Sequence, residues 1–392
     1  MVEPRVYKIN KMERIYFATP FVEAVMAEVE RLGANSVFVM CSGTLNRETD
    51  KIESLKKALG NRFLGLFDRC KSHTPRDNVM EALEIVRAAG ECDLFIAVGG
   101  GAVVDTAKMV GLCLANGVKT MADMDPLRDT VDEQGRRHSP KKTPPKARMI
   151  AVPSTLSGGD IGQNIGCTDP ARNVKEGYGH PLLMPIAVVY DPSLAALTPP
   201  RLWLATGIKA LDHAVEVICT KKPDPMCTEM ALIAARLLAE NLPKSKADPN
   251  DLEARNSCQQ AIWLARSSRS LTGVNFGASH GFGHTLGGGY GIPHGETSCV
   301  VLPSVMRYNA AVTVDAQARI SAAMGRPGDA AGDVIEGLIK ALNLPYRLRA
   351  VGIDKADFHD IAEHSLHTGT VKANPRPIKG VDDLIEILEM AW

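Results

Sequence analysis

The chain has 392 residues, enough to bury a large core and to form one to three domains. Lys plus Arg and Asp plus Glu each number 45, so no global charge draws it to nucleic acid or to an anionic membrane surface. No apolar run approaches the roughly 20 residues of a membrane span. Met1-Val2-Glu3-Pro4 also lacks the basic and apolar regions of a secretory signal, so a cytoplasmic protein is expected.

The first half alternates short β-like runs with helical stretches. Ser36-Val37-Phe38-Val39-Met40, Leu94-Phe95-Ile96-Ala97-Val98, Met149-Ile150-Ala151-Val152 and Ile186-Ala187-Val188-Val189-Tyr190 are brief apolar runs, while residues 20–32 and 78–89 carry apolar side chains at helical spacing. Continuous apolar strands separated by helices predict a parallel sheet covered on both faces. Residues 123–147 break the pattern with four prolines and the basic pairs Arg136-Arg137 and Lys141-Lys142, which read first as a solvated loop and second as a functional patch. After Asp191-Pro192 strand-like runs become scarce, and Pro199-Pro200 leads into Ala- and Leu-rich stretches over 226–241 and 251–271. The expected organisation is an α/β domain over 1–194 and an all-α domain over 195–392. The nine cysteines form no CxxC pair and read as reduced, mostly buried thiols.

Three segments carry chemistry. Leu94 to Lys108 is a strand, the turn Gly99-Gly100-Gly101 and a helix start; glycines there let backbone N–H groups approach a pyrophosphate at the positive helix end. It is neither GxGxxG nor a P-loop, and a purely structural turn is the alternative. Pro153-Ser154-Thr155-Leu156-Ser157-Gly158-Gly159-Asp160 follows the next strand, where small hydroxyl residues could line the same crevice or form a bland polar loop. His280, His284 and His294 lie in one short stretch of a chain with ten histidines. The first two share a helix face, and a Gly-rich turn could return the third beside them. Imidazole both ligates metals and exchanges protons near neutral pH. Upstream, Lys209 and His213 are four apart on one helix face, with Glu216 three further on.

Together these segments resemble the iron-containing (group III) alcohol dehydrogenase family over most of the chain. The resemblance rests on Gly99 to Lys108, on Pro153 to Asp160 and on Lys175-Glu176-Gly177 followed by Tyr190-Asp191-Pro192. It also rests on the His-x3-His-x9-His block at His280, His284 and His294, and on Asn374-Pro375-Arg376-Pro377. It implies a Rossmann-like N-terminal domain, a helical C-terminal domain, a site in the cleft between them, and a homodimer. The cofactor it implies is NAD(H) or NADP(H), with binding positions at Ser42, Gly99, Gly100, Gly101, Asp105, Ser154, Thr155, Ser157 and Lys175. Cys41-Ser42-Gly43-Thr44 holds no acid that would repel a 2′-phosphate, so NADPH should be tolerated.

In typical members an Asp and three His hold the metal. The His positions correspond to His213, His280 and His294, and His284 matches a histidine near the nicotinamide. The Asp position is Lys209. An ammonium has three donors and no lone pair, so it cannot ligate a cation and would repel one. Asp212 is near in sequence but about 100° round the helix from the face of His213. Loss of the Asp ligand, a shortened loop over Pro153 to Asp160 and His73-Thr74-Pro75 resemble the maleylacetate reductase branch.

The expected activity is thus hydride transfer with a small carbonyl or alcohol substrate, with or without a carboxylate, and without a catalytic metal. Lys209, His213, His280, His284 and His294 are the candidate catalytic residues, with Lys209 taking the metal's electrostatic role or holding a substrate carboxylate. The alternatives are an Fe- or Zn-dependent alcohol dehydrogenase using His213, His280, His294 and water, and a lyase-type or non-catalytic nucleotide-binding relative.

Overall fold

The computed structural model describes residues 6, 7, 9–132, 137–172 and 174–392. They divide into two compact units, one of residues 10–130 and 137–198, the other of 199–392 with Val6, Tyr7, Ile9 and residues 131–132.

The first unit is built on a six-stranded, wholly parallel sheet. Its strands lie in the order Arg14–Phe17, Ala187–Tyr190, Arg148–Pro153, Leu94–Gly99, Val37–Cys41, Phe63–Phe67. The four central strands are the expected apolar runs, and their side chains are buried almost throughout, as covered parallel strands require. The two outer strands are additional: Arg14–Phe17 and Phe63–Phe67 are only half buried, so an edge position leaves them without a continuous apolar signature. Register pairs Cys41 with Val98 and Gly99 with Pro153, so the carboxyl ends of three neighbouring strands finish together. Ser42, Gly99-Gly100-Gly101 and Ser154 therefore leave the sheet on one edge.

The described residues of 123–147 are more than the expected solvated loop. A 3-10 turn, Met121–Leu127, opens with reciprocal Thr120 and Asp123 caps. Lys142 is buried, pairs with Asp129 at 2.6 Å and donates to the carbonyl of Gly179 at 3.0 Å. Arg136 lies outside the described residues. The antiparallel hairpin Asn164–Asp169 and Val174–Gly179 is tied down by buried Arg76, which binds Asp125, Glu176 and Tyr178.

The second unit is helical, with no strand among its described residues from 199 onward. Pro200–Ile218 and Pro225–Ala247 each begin on a proline, whose missing N–H costs nothing at a first helical turn. Leu252–Thr272, Ala278–Gly289 and His294–Asn309 follow, with Ala278, Phe282, Leu286, Val301 and Val305 in a core shared with Ile361, Ile387 and Leu388. All nine cysteines are free thiols, seven of them buried. Among the described residues no helix is long and apolar enough to cross a membrane.

Candidate active site

In the helical unit, three helices bring the site residues together. Pro200–Ile218 carries Lys209, Asp212, His213 and Glu216; Ala278–Gly289 carries His280 and His284; His294–Asn309 carries His294 and Ser298. The nitrogen Nε2 of His280 lies 2.8 Å from Nδ1 of His213, and Nδ1 of His280 lies 2.6 Å from Oε2 of Glu216. Phe276 stacks on His280 with ring centroids 3.8 Å apart. His284 is exposed one turn further on, and the His294 ring lies so close to Gly287 that an added Cβ would stand 2.7 Å from its Cε1. The Gly-rich turn does return His294 to the helix that bears His280 and His284, and the absent Cβ at Gly287 makes the room.

Glu216, noted by its spacing from Lys209 and His213 but given no role there, holds the start of the next site helix. Its carboxylate accepts the backbone N–H groups of Gly277 and Ser279, each at 2.9 Å, at the start of Ala278–Gly289. The oxygen Oδ1 of Asn374 accepts the N–H of Ala278 at 3.2 Å beside it. Two side chains remote in sequence thus cap one helix start, which fixes the direction of His280. Burial and the neighbouring Asp212 charge push the Glu216 carboxyl up, against the opposing pull of Gly277, Lys209 and Ser279. Burial, then the Lys209 charge and His213, hold His280 well below the ordinary imidazole range, so it stays neutral.

Asp212 corrects the helical-wheel expectation. It is fully buried, accepts from Nζ of Lys209 at 3.1 Å and from Oγ of Ser298 at 2.6 Å, and brings Oδ1 within 3.6 Å of Nδ1 of His280. Lys209 is nearly buried, and a Cβ on Gly283 would stand 3.8 Å from its ammonium. The cation therefore lies within the cluster rather than in solvent.

These residues do not fit a divalent metal as an Asp and three His would. The Asp position holds an ammonium, and both ring nitrogens of His280 already face hydrogen-bond partners. Asp212, Glu216 and His280 do offer donor atoms within 4.8 Å of one another. However, the 2.6 Å between His280 and Glu216 is a hydrogen-bond separation. Two ligands of a tetrahedral ion at about 2.1 Å stand about 3.4 Å apart.

In the α/β unit, the expected cofactor residues form a cradle. Gly99 has φ +153°, and a Cβ on it would meet Val103 at 2.9 Å and the backbone nitrogen of Ser42 at 3.2 Å. A Cβ on Gly101 would stand 2.7 Å from Oγ of Ser157. The loops bind each other through backbone bonds, Ser42 N–H to Val98 at 2.9 Å and Ser154 N–H to Gly99 at 3.0 Å. Lys108 donates to the carbonyls of Gly159 and Gly162, and Asp105 accepts from Gly166 N–H at 3.4 Å. Lys175 lies across Gly166. The buried atoms Oγ1 of Thr155 and Oγ of Ser157 have no hydrogen-bond partner. Helix Gly101–Ala115 starts there without a side-chain cap. Orphaned donors and close backbone beside an uncapped helix start fit the phosphates of a dinucleotide.

Two family models cover nearly the whole chain: iron-containing alcohol dehydrogenase over residues 13–192, and the C-terminal part of the Fe-containing alcohol dehydrogenase family over 203–392. The chain belongs to the iron-containing alcohol dehydrogenase family. It is 32% identical to the dehydrogenase FUM7 of Gibberella moniliformis, over 97% of this chain and 96% of that protein. It is 29% identical to maleylacetate reductase 2 of Cupriavidus pinatubonensis, over 97% and 94%. The solved structure of maleylacetate reductase from Agrobacterium tumefaciens matches with a TM-score of 0.81 at 26% identity, covering 100% of this chain and 99% of that one. Membership makes the protein an oxidoreductase acting on CH–OH or C=O groups, and maleylacetate reductases stand among its relatives.

Proposed function

We propose that the protein is an NAD(P)H-dependent carbonyl reductase for a small, carboxylate-bearing substrate and that it works without a catalytic metal. The observation that carries this reading is the buried Lys209–Asp212 pair at the position of the metal-binding acid. Hydride delivery to a carbonyl carbon leaves negative charge on oxygen, and a fixed cation in a desolvated pocket stabilises that charge without a Lewis acid. Lys209 has three donors and gives one to Asp212, which leaves donors for an oxyanion or a substrate carboxylate.

The relationship to maleylacetate reductases supports an oxo-acid substrate. The cradle of Ser42, Gly99, Gly100, Gly101, Asp105, Ser154, Thr155, Ser157 and Lys175 supports a nicotinamide dinucleotide as hydride donor. His213, His280, His284 and His294 complete the proposed catalytic set.

The test is a panel of oxo-acids and simple aldehydes with NADH and NADPH, run before and after chelation and with added Fe²⁺ or Zn²⁺. The expected result is reduction of an oxo-acid at a rate indifferent to chelator and metal. Loss of turnover on chelation, restored by either ion, would instead establish the metal-dependent reading through His213, His280 and His294.

A further inference from the structure

We infer that Arg47 receives the 2′-phosphate of NADP(H), so that the protein takes NADPH in preference to NADH. The inference rests on the proposed dinucleotide cradle of the α/β unit and adds the residue that chooses between the two cofactors.

Sheet register places Arg47. Strand Val37–Cys41 runs beside Leu94–Gly99 with Cys41 paired to Val98, so Ser42, the first residue beyond it, stands next to the glycine turn. The approach is close: a Cβ on Gly99 would stand 3.3 Å from Cβ of Ser42. A dinucleotide whose pyrophosphate rests on the glycine turn carries its adenosine ribose past the end of the neighbouring strand. The two cofactors differ at the 2′ position of that ribose. An acid there binds the 2′-hydroxyl of NAD and repels a phosphate, whereas a nearby arginine accommodates the 2′-phosphate of NADP.

Cys41-Ser42-Gly43-Thr44 supplies no acid. Arg47 is four residues on from Gly43, one helical turn, and its side chain folds back over that glycine. A Cβ on Gly43 would stand 2.6 Å from Nη1 of Arg47 and 3.2 Å from its Cζ. Gly43 does not have a positive φ, so its backbone would accept a side chain. What leaves no room for one is the guanidinium, together with the carbonyl oxygen of Asp68 at 2.7 Å from the same point. The missing side chain thus lets a cation lie one residue beyond Ser42.

That cation is loosely held. Among the described residues its one polar partner is Asp68, with Nη1 and Oδ2 3.9 Å apart, beyond hydrogen-bond range. The same carboxylate oxygen accepts from Nδ2 of Asn46 at 2.9 Å, so Asp68 has a bonded partner of its own. The Arg47 side chain is 64% exposed. Its planar fork of five donors matches a phosphate, which brings a charge of about −2. The guanidinium would exchange one long Coulombic contact for short charge-assisted hydrogen bonds. Asp68 is the opposing charge and also the rival group, since a carboxylate could instead accept the 2′-hydroxyl of NADH.

The test is titration calorimetry of the full-length protein with NADPH and NADH, and with adenosine 2′,5′-bisphosphate and 5′-AMP as probes of the adenosine end. The wild type should bind NADPH roughly tenfold or more tighter than NADH, as a hydrogen-bonded charge pair gives. That advantage should narrow as salt rises, because the pair is exposed. Arg47→Ala should raise the Kd for NADPH roughly 10- to 100-fold and leave that for NADH within about twofold. Adenosine 2′,5′-bisphosphate should weaken alongside NADPH, and 5′-AMP should not. Arg47→Lys should recover part of the loss, keeping the charge without the fork. Asp68→Asn should tighten NADPH by removing an opposing charge and leave NADH unchanged. Arg47 is exposed, so Tm should be unaffected by its loss.

Equal wild-type affinities for NADPH and NADH, or an Arg47→Ala that weakens both alike, would overturn the inference. Weaker NADH binding in Asp68→Asn would give the ribose to Asp68 and overturn it as well. Failure of the wild type to bind either dinucleotide would remove the cradle and this inference together. Arg47-dependent NADPH preference in a protein that reduces no carbonyl would remove the reductase reading alone. Equal affinities in an active reductase would remove this inference alone.

Discussion

Nζ of Lys209 meets Oδ2 of Asp212 across 3.1 Å, one helical turn apart and both largely out of water. Each charge is tolerable only because of the other. Removing one partner of a buried pair leaves a desolvated charge and costs about 3 kcal/mol or more, whereas replacing both by apolar groups is often near neutral. Lys209→Met and Asp212→Leu should therefore each lower the denaturant midpoint strongly, and the double variant should recover most of the loss. The double variant should still be inactive in carbonyl reduction, since the cation is gone. Equilibrium unfolding in urea with a double-mutant cycle checks this. Additive single losses would mean the pair is not coupled.

The same ammonium would oppose a divalent ion placed among these residues. At 4 Å and an effective dielectric of about 20, one unit charge opposes another by about 4 kcal/mol, and a divalent ion by twice that. Lys209→Asp removes that repulsion and adds a carboxylate near Asp212, Glu216, His213 and His280. The variant should retain about one equivalent of Zn²⁺ through dialysis and show a Zn²⁺-dependent rise in Tm, while the wild type shows neither. Metal analysis and thermal unfolding read both. A variant that stays metal-free would show that something other than Lys209 disqualifies the site.

Much of the fold and part of the site were legible in the residues themselves. Gly99-Gly100-Gly101 announced itself because a missing side chain is visible in sequence, and the structure supplies the neighbours, Val103, Ser42 and Ser157, that would meet a Cβ. His280, His284 and His294 stood out by spacing. Asp212 did not, because a helical wheel places it by its Cα direction. Its carboxylate is instead drawn by Lys209 on its own helix and Ser298 on another. Glu216 acts on backbone groups more than sixty residues away, a relationship that no local pattern encodes. The edge strands Arg14–Phe17 and Phe63–Phe67 were hidden for a different reason. Half-buried strands need no continuous apolar run, and Gly65 interrupts one of them.

Thr155 separates cofactor binding from stability. Its hydroxyl is buried without a hydrogen-bond partner in the protein, so removing it takes away no internal bond. Thr155→Val keeps the branched shape and should leave Tm unchanged or slightly raised. If the hydroxyl donates to a cofactor phosphate, the lost charge-assisted bond is worth about 1.5 kcal/mol, or roughly a tenfold rise in Kd for NADH or NADPH. Calorimetric titration and thermal unfolding of the same samples give both numbers. Unaltered affinity would take Thr155 out of the cofactor site.

Glu336 offers a pH-dependent test remote from the chemistry. Burial works to raise its carboxyl pKa, but Lys340 at 2.6 Å and Arg307 at 2.7 Å, with Arg347 at 3.2 Å, overcome that and bring it down to about 2. Because the folded value lies below the unfolded value of about 4.3, its contribution is complete above that pH. It is lost as pH falls from there toward 2. The three partners are partly exposed, so screening reduces the contribution to about 2 kcal/mol at pH 7. Glu336→Gln should lose about that much stability at pH 7, and the gap from wild type should shrink steadily as pH falls from 4.5 to 2.5. Urea unfolding across that range measures the gap. A gap that stays constant with pH would mean that Glu336 stabilises the fold through packing rather than through its charge.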